Sequence, residues 1–221
     1  MSELWAAIDW TQMAEALKQT LYMSFVSLFY AVIGGTLVGI ALYLTQPKGL
    51  HPNAVIYRIL DIWVNLFRSI PFIILMIIMF PLTKILVGSI LGMKAAIPAL
   101  VLSAVPFFAR LTMIAFNEVD KGTIEAVLSM GASTFDVLWK VLLPEAAPAL
   151  VSAIAVTGIN LVGYTSMAGA IGSGGLGNLA YLYGFARRNN VILFFSTAVI
   201  VLIVFLIQFV GDFVSRLIDK R

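Results

Sequence analysis

The sequence predicts an all-α integral membrane protein with five transmembrane helices, a short N-terminal interfacial helix and short helices in one polar loop. Three observations predict it. Of 221 residues, 61% are hydrophobic and 11% charged, whereas a soluble domain carries about 25% charged residues. Mean hydropathy is +1.02, more apolar surface than a soluble fold of this size can bury. The charges are also spaced to leave long uncharged runs, at residues 19–47 and 146–186.

Residues 1–18 do not form a signal peptide, because Glu3, Asp9 and Glu15 outnumber Lys18 where a basic region belongs. Trp5, Ile8, Trp10, Met13 and Leu17 recur at helical spacing. They read as an amphipathic helix lying in the interface, with a disordered tail as the alternative. A bilayer core about 30 Å thick needs about 20 helical residues. The first span is residues 20–44, where Gly34, Gly35 and Gly39 suit close helix packing. The second, residues 58–82, carries Asp61 and Arg68, and the third, residues 95–117, carries Arg110. The uncharged run at 146–186 is too long for one crossing. Glycines between 172 and 177 break it, leaving a fourth span at residues 147–171, and the fifth is residues 190–211. Five spans put the chain ends on opposite sides.

Between the third and fourth spans, residues 123–143 read as one or two amphipathic helices. The turn falls at Gly131, N-cap candidates lie at 132–134, and Pro144 and Pro148 stop the second helix. Ala126, Val127 and Met130, then Phe135, Leu138, Trp139 and Leu142, form apolar stripes beside Glu125, Ser129, Asp136 and Lys140. Periodicity alone leaves two readings open: a helix pair lying on lipid headgroups, or a ridge for a partner's groove.

Several functions are poorly supported. With no cysteine there is no disulfide, thiolate nucleophile or iron–sulfur ligation, and His51 alone is a poor basis for haem. The net charge of +3 is scattered over loops, unlike the basic stripe of a nucleic-acid binder. Gly172-Ser173-Gly174-Gly175-Leu176-Gly177 spells G-x-G-x-x-G, but it follows a span and not a strand. It reads instead as a flexible turn at the outer mouth or a simple helix break. No metal-ligand or nucleophile–base constellation and no G-x-x-x-x-G-K-[ST] occurs, so the chain is expected to hydrolyse nothing. Any ATP-driven work then belongs to a separate polypeptide. The five spans contain no internal repeat, so a path between equivalent halves calls for a second copy, most simply with two-fold symmetry.

Glu125-Ala126, Gly131 and Leu143-Pro144 stand at the spacing EAA-x3-G-x9-I-x-L-P. This resembles the EAA loop of ABC-importer membrane subunits, with Val127 in place of the third-position alanine. Residues 68–75, RSIPFIIL, and 163–170, GYTSMAGA, followed by Gly174-Gly175-Leu176-Gly177, are similar to permease subunits of methionine importers over residues 20–215. The resemblance implies a single transmembrane domain over residues 1–221, with cytoplasmic coupling helices at 121–145. It also implies a homodimer, two ATPase subunits that hold the ATP and Mg, and an outer binding protein delivering D- or L-methionine. The chain itself is expected to bind no cofactor, metal or nucleic acid.

The resemblance implies coupling to the ATPase through Glu125, Ala126, Met130, Gly131, Leu143 and Pro144. It places the substrate path or gate near Tyr164, Ser166, Met167 and Arg68, and a hinge or outer loop at Gly172, Gly174, Gly175 and Gly177. For each path residue taken singly, plain helix packing is the competing reading. Arg110 reads as snorkelling toward the headgroups, and Asp61 as pairing across helices.

Lysine and arginine counts vote weakly on orientation. With the N-terminus outside, Lys48, Arg58, Lys121, Lys140, Arg216, Lys220 and Arg221 are inside, and Lys18, Lys84, Lys94, Arg187 and Arg188 outside. A loop that meets an ATPase decides for N-out, C-in, in a bacterial inner membrane. The rivals are a permease for polar amino acids or another small nutrient and, more weakly, an ion-gradient transporter. The latter calls for intramembrane carboxylate pairs or inverted repeats that the sequence does not clearly show.

Overall fold

Asp9 starts the first helix, α1 (Trp10–Thr45), by accepting the backbone N–H groups of Thr11 and Gln12. The computed structural model describes residues 9–219. Residues 10–18, expected within a separate interfacial helix, are instead the opening turns of this 36-residue helix. The reason is local: no proline interrupts the chain before Pro47. Residues 1–8, with Glu3, Trp5 and Ile8, lie outside the described residues. Gly35 and Gly39 are buried against α4 (Met93–Asn117). A methyl group added at Gly35 would stand 2.9 Å from Phe108 Cβ, and one at Gly39 would stand 2.6 Å from Thr112 Cβ. The small-residue pair thus sets how closely α1 and α4 approach.

The expected second span is not one helix. It divides into α2 (Ala54–Ser69) and α3 (Phe72–Val87), which meet at 108°. Pro71 is the cause, because its ring pushes the preceding residue out of the helical region. Ile70 accordingly has φ −79° and ψ 123°. The two halves differ in packing. α3 buries Phe72, Leu75, Met76 and Met79 with Met23, Leu100 and Leu161, whereas Val64 is the one fully buried residue of α2. Among the described residues, four helices are long and apolar enough to cross a bilayer, and the bent pair makes a fifth.

After the short α5 (Lys121–Ser129), a 40-residue helix, α6 (Thr134–Ser173), carries the fourth span. Pro144 and Pro148 do not stop it, contrary to expectation. A wide π turn at Leu138–Leu142 lets the Leu143 N–H reach the Leu138 carbonyl. Pro144 then falls in the first turn of the α segment that follows, where its missing N–H costs nothing. A helical reversal, α7 (Gly175–Asn178), continues in π geometry through Leu179–Ala186. The last helix is α8 (Asn190–Ile218).

α8 returns to the end of the bundle where α6 begins. There Ser215 Oγ donates to the Pro148 carbonyl and lies 3.2 Å from Ser152 Oγ. Asp9 borders a cavity with Gly175 and Tyr183 at the other end. The described chain therefore starts and finishes at opposite ends, as an odd number of crossings requires.

Candidate docking ridge and pathway

Asp120 caps α5. Its Oδ2 accepts the Thr123 N–H at 2.9 Å and the Thr123 hydroxyl at 3.2 Å. The Thr123 N–H is the main reason its carboxyl is held below the usual range. At the other end, Gly131 adopts φ +86°. Its N–H reaches the Leu128 carbonyl and the Ala132 N–H reaches the Val127 carbonyl, a Schellman closure that satisfies the helix's last acceptors. An added Cβ at Gly131 would meet nothing within 4 Å, so glycine is needed there for its φ and not for space.

Ser133 opens α6 with a capping box. The Asp136 N–H donates to Ser133 Oγ, and the Ser133 N–H donates to Asp136 Oδ2, both at 3.2 Å. Lys140 Nζ lies 2.6 Å from Asp136 Oδ1. The bond to Lys140 is the largest cause lowering the Asp136 pKa to about 2, followed by the bond from Ser133.

These caps sort the expected apolar stripes into two sets. Ile124, Val137, Val141 and Leu142 are buried with Tyr43, Phe116 and Val119, and Val127, Leu138 and Leu143 pack partly against them. Met130, Phe135 and Trp139 face outward, 79%, 66% and 58% exposed. The Phe135 and Trp139 rings lie 5.8 Å apart. Glu125, Ala126 and Pro144 are also exposed, unlike the buried Ile124 and Leu142. The irregular residue, Val127, packs against the buried cluster and not on the exposed ridge.

Behind α5 lies a cavity of about 430 Å³, lined by Tyr43, Lys48, Phe116, Asn117, Lys121 and Glu125 among others. Sequence reasoning missed one brace: His51 Nε2 lies 2.6 Å from Thr134 Oγ1. This ties the loop before α2 to the first residue of α6. A single histidine in a loop gave no signal of it.

In the fourth span, Tyr164 stacks nearly parallel on Phe72, with centroids 4.8 Å apart. Gly163, Met167 and Ala170 are exposed along one side, and nothing stands within 4 Å of an added Cβ at Gly163. Ser166 points its hydroxyl back to the Val162 carbonyl at 3.1 Å, and its backbone lies directly against Gly177. Arg68 is exposed in the last turn of α2, where a cation suits the helix dipole. The structure gives it no bond to Tyr164, Ser166 or Met167.

Arg110 does not snorkel. Its Nη2 contacts Asp61 Oδ1 at 2.5 Å and Asn65 Oδ1 at 3.1 Å across the α2–α4 contact. Asp61 therefore pairs across helices as expected, and its presence overrides the headgroup route for the arginine.

The glycine turn is bonded on two sides, by α1 and by the residue before α4. Gly172, Gly174 and Gly175 have φ of +101°, +82° and +83°. The Gly175 N–H donates to Gln19 Oε1 and the Leu176 N–H to Thr20 Oγ1, both at 2.8 Å. The Gly92 N–H donates to the Gly172 carbonyl at 3.1 Å. α1 thus caps the backbone of the turn, and no strand precedes it among the described residues, as a dinucleotide fold requires.

A bundle of apolar spanning helices, one of them bent, with an exposed apolar ridge at one end, defines a polytopic membrane transport component. The chain belongs to the family of binding-protein-dependent transport system inner membrane components, whose model matches residues 31–221. It is 50% identical over 214 residues to the "Methionine import system permease protein MetP" of Bacillus subtilis, covering 97% of this chain and 96% of that protein. It is 42% identical to the "Probable D-methionine transport system permease protein MetI" of Pasteurella multocida, covering 96% and 98%. A solved structure described as "Inward facing conformations of the MetNI methionine ABC transporter" superposes with a TM-score of 0.93 at 44% identity, covering 95% of this chain and 97% of that one. An amino acid ABC transporter at 16% identity shares the fold, with a TM-score of 0.78. The chain is a transport subunit and not an enzyme.

Proposed function

We propose that this chain is the membrane subunit of an ATP-driven importer that brings methionine, D- or L-, or a related compound into the cytoplasm. Two copies form the path, two ATPase subunits holding ATP and Mg dock on the ridge, and an outer binding protein delivers the cargo. The observation that carries the reading is the Met130–Phe135–Trp139 ridge, on a chain half identical to a methionine import permease over nearly its whole length. Large side chains this exposed beside aqueous loops suit a partner's groove.

Motion delivered to the ridge reaches the spans through one continuous helix, because α6 stays helical from Thr134 through its π turn to the kink at Gly172. Glu125 and Ala126 belong to the docking helix α5, Gly131 sets the angle between α5 and α6, and Leu143 and Pro144 carry the ridge into the span. Tyr164, Ser166 and Met167 lie where that rigid helix meets the path, and ATP-driven closure would switch it between two arrangements. Arg68 stands beside the bend that opens toward it. The outer glycines, Gly172, Gly174, Gly175 and Gly177, are the fixed end of this lever. The ridge faces the cytoplasm of a bacterial inner membrane, with the N-terminus outside and the C-terminus inside.

Reconstituted with its ATPase and binding protein, the complex is expected to accumulate labelled methionine only with ATP. Preferential uptake of a polar amino acid, or methionine uptake without the ATPase, overturns the reading. Trp139→Ala should leave the bundle folded and weaken ATPase association on the order of 30-fold, as a buried aromatic anchor does. Co-purification and titration measure it, and unchanged association removes the ridge from the interface.

A further inference from the structure

α2 is thinly seated. Ile56, Ile59, Ile62 and Leu66 are exposed on its outer side, and inside it offers Tyr57, Leu60, Trp63 and Val64 to Leu42, Ala109 and Met113. Its start is tied to the ridge by His51 on Thr134. Its far end stops at the 108° bend before Phe72, which stacks on Tyr164. Among the described residues, the one ion pair along its length is Asp61 on Arg110, joined by Asn65. Asn65 is itself oriented, since its Nδ2 donates to Asp61 Oδ2 at 3.0 Å. The clasp is therefore a closed triad: two side chains of α2, one turn apart, converge on a single guanidinium of α4.

Arg110 lies seven residues before the end of α4, about 10 Å along the helix. A charged group at that depth stays paired or faces a strong penalty. Removing one partner strands the other, so the clasp resists opening far more than the surrounding aliphatic contacts do. α2 spans from the ridge to the path, and without the clasp its seat is one fully buried valine with the partly buried Tyr57, Leu60 and Trp63 beside it.

We propose that Arg110 is a positioning residue for transport: with Asp61 and Asn65 it welds α2 to α4, so that the two move as one body and the Ser69–Pro71 bend alone takes up the change at the path. The transport arm of the test rests on the importer reading, and the distance arm does not.

The sequence has no cysteine, so Ile62→Cys and Ile114→Cys, both on exposed positions, can carry spin labels in the full complex in nanodiscs. With the clasp intact, the inter-label distance is expected to be a single narrow distribution that keeps its position on adding ATP. In Arg110→Met it should broaden or shift, and methionine imported per ATP hydrolysed should fall by at least about fivefold. The pair Asp61→Arg with Arg110→Asp should restore the narrow distance and most of the ratio, which a purely local packing loss would not do.

A narrow distribution and an unchanged ratio in Arg110→Met overturn the proposal, as does a distance that changes with ATP while the clasp is intact. If Arg110→Met does not accumulate, Asp61→Asn carries the same two readouts: a broadened distance with a lowered ratio supports the clasp, and no change in either overturns it. A wrong cargo would abolish methionine uptake in every background, the unsubstituted one included, while the distance arm still reports on the clasp.

Discussion

The chain is broken by glycine at two ends of the bundle, and the two breaks are built on opposite principles. At the ridge, Gly131 turns the backbone in open space, with no atom within 4 Å of an added Cβ. At the far end, the turn from α6 into α7 is packed solid. Gly177 lies on the backbone of Ser166, and Gly169 on the backbone of Asn178 and Gly174. One break is held by caps exposed to water and the other by buried amides. The difference separates a surface shaped to be met by a partner from a joint that holds its own helices in register.

The largest effect tests that contrast directly. Gly177→Ala drives a methyl group into the Ser166 backbone, which cannot yield as a flexible side chain would. It should cost about 3–5 kcal/mol, at the severe end for a point substitution. Gly131→Ala meets no atom and is penalised only by its positive φ, about 1–2 kcal/mol. Thermal unfolding of the detergent-solubilised protein measures both. Equal losses would break the distinction between a glycine needed for space and one needed for φ. It also follows that at Gly131 alanine should do nearly as much harm as a bulkier unbranched residue, because bulk has nothing to strike.

A middle-sized effect concerns the buried caps. Thr20 is 1% exposed and its hydroxyl is the acceptor for the Leu176 N–H. Thr20→Val keeps the shape and removes the acceptor, leaving a buried donor unmatched at about 1–3 kcal/mol. Thr20→Ser should recover most of it. Hydrogen exchange at Leu176 should quicken in the valine variant and not in the serine one. Slow exchange in both would mean that the turn is held by packing alone.

How far each break was legible follows from the same physics. Local rules placed Gly131 and the Ser133 cap, because a positive φ and an N-cap are properties of a few consecutive residues. The pinning of Gly175 by Gln19 could not be read, since it joins residues 156 apart in sequence. Pro144 and Pro148 misled for the converse reason. Proline stops an ordinary helix, but the π turn at Leu138–Leu142 shifts the register so that Pro144 falls where no N–H is missed. The site divides the same way. Hydropathy marked Phe135, Leu138, Trp139 and Leu142 as one stripe, and only packing against Tyr43 and Phe116 shows Leu142 inside and Trp139 outside. The second span read as one helix from hydropathy; proline disfavours the helical region for the residue before it, but the 108° angle at Pro71 depends on how α3 is received by the core.

The smallest effect sharpens the comparison through charge, because of the two glycine breaks only the one at the ridge is capped by ionisable groups. The Asp136 carboxyl is lowered to about 2, first by Lys140 and then by Ser133. A carboxyl whose folded pKa lies below its unfolded value, near 4, adds stability that is present above the unfolded pKa. That stability is lost as pH falls through the folded pKa. Asp120 is lowered too, chiefly by the Thr123 N–H, so both caps weaken in the same direction on acidification. Ridge stability should therefore be flat from neutral pH to about 5 and fall between about 4 and 2, while the turn at Gly172–Gly175, capped by an amide and a hydroxyl, holds. Both carboxylates face water, so the loss is modest and salt should shrink the Lys140 share of it. Asp136→Asn should flatten part of the fall while lowering stability slightly at neutral pH. Hydrogen exchange followed at residues 134–137 and at 175–176 across that pH range separates the two ends. Acid loosening of both together, or of the outer turn first, would show that the two breaks are not held by the different means their caps indicate.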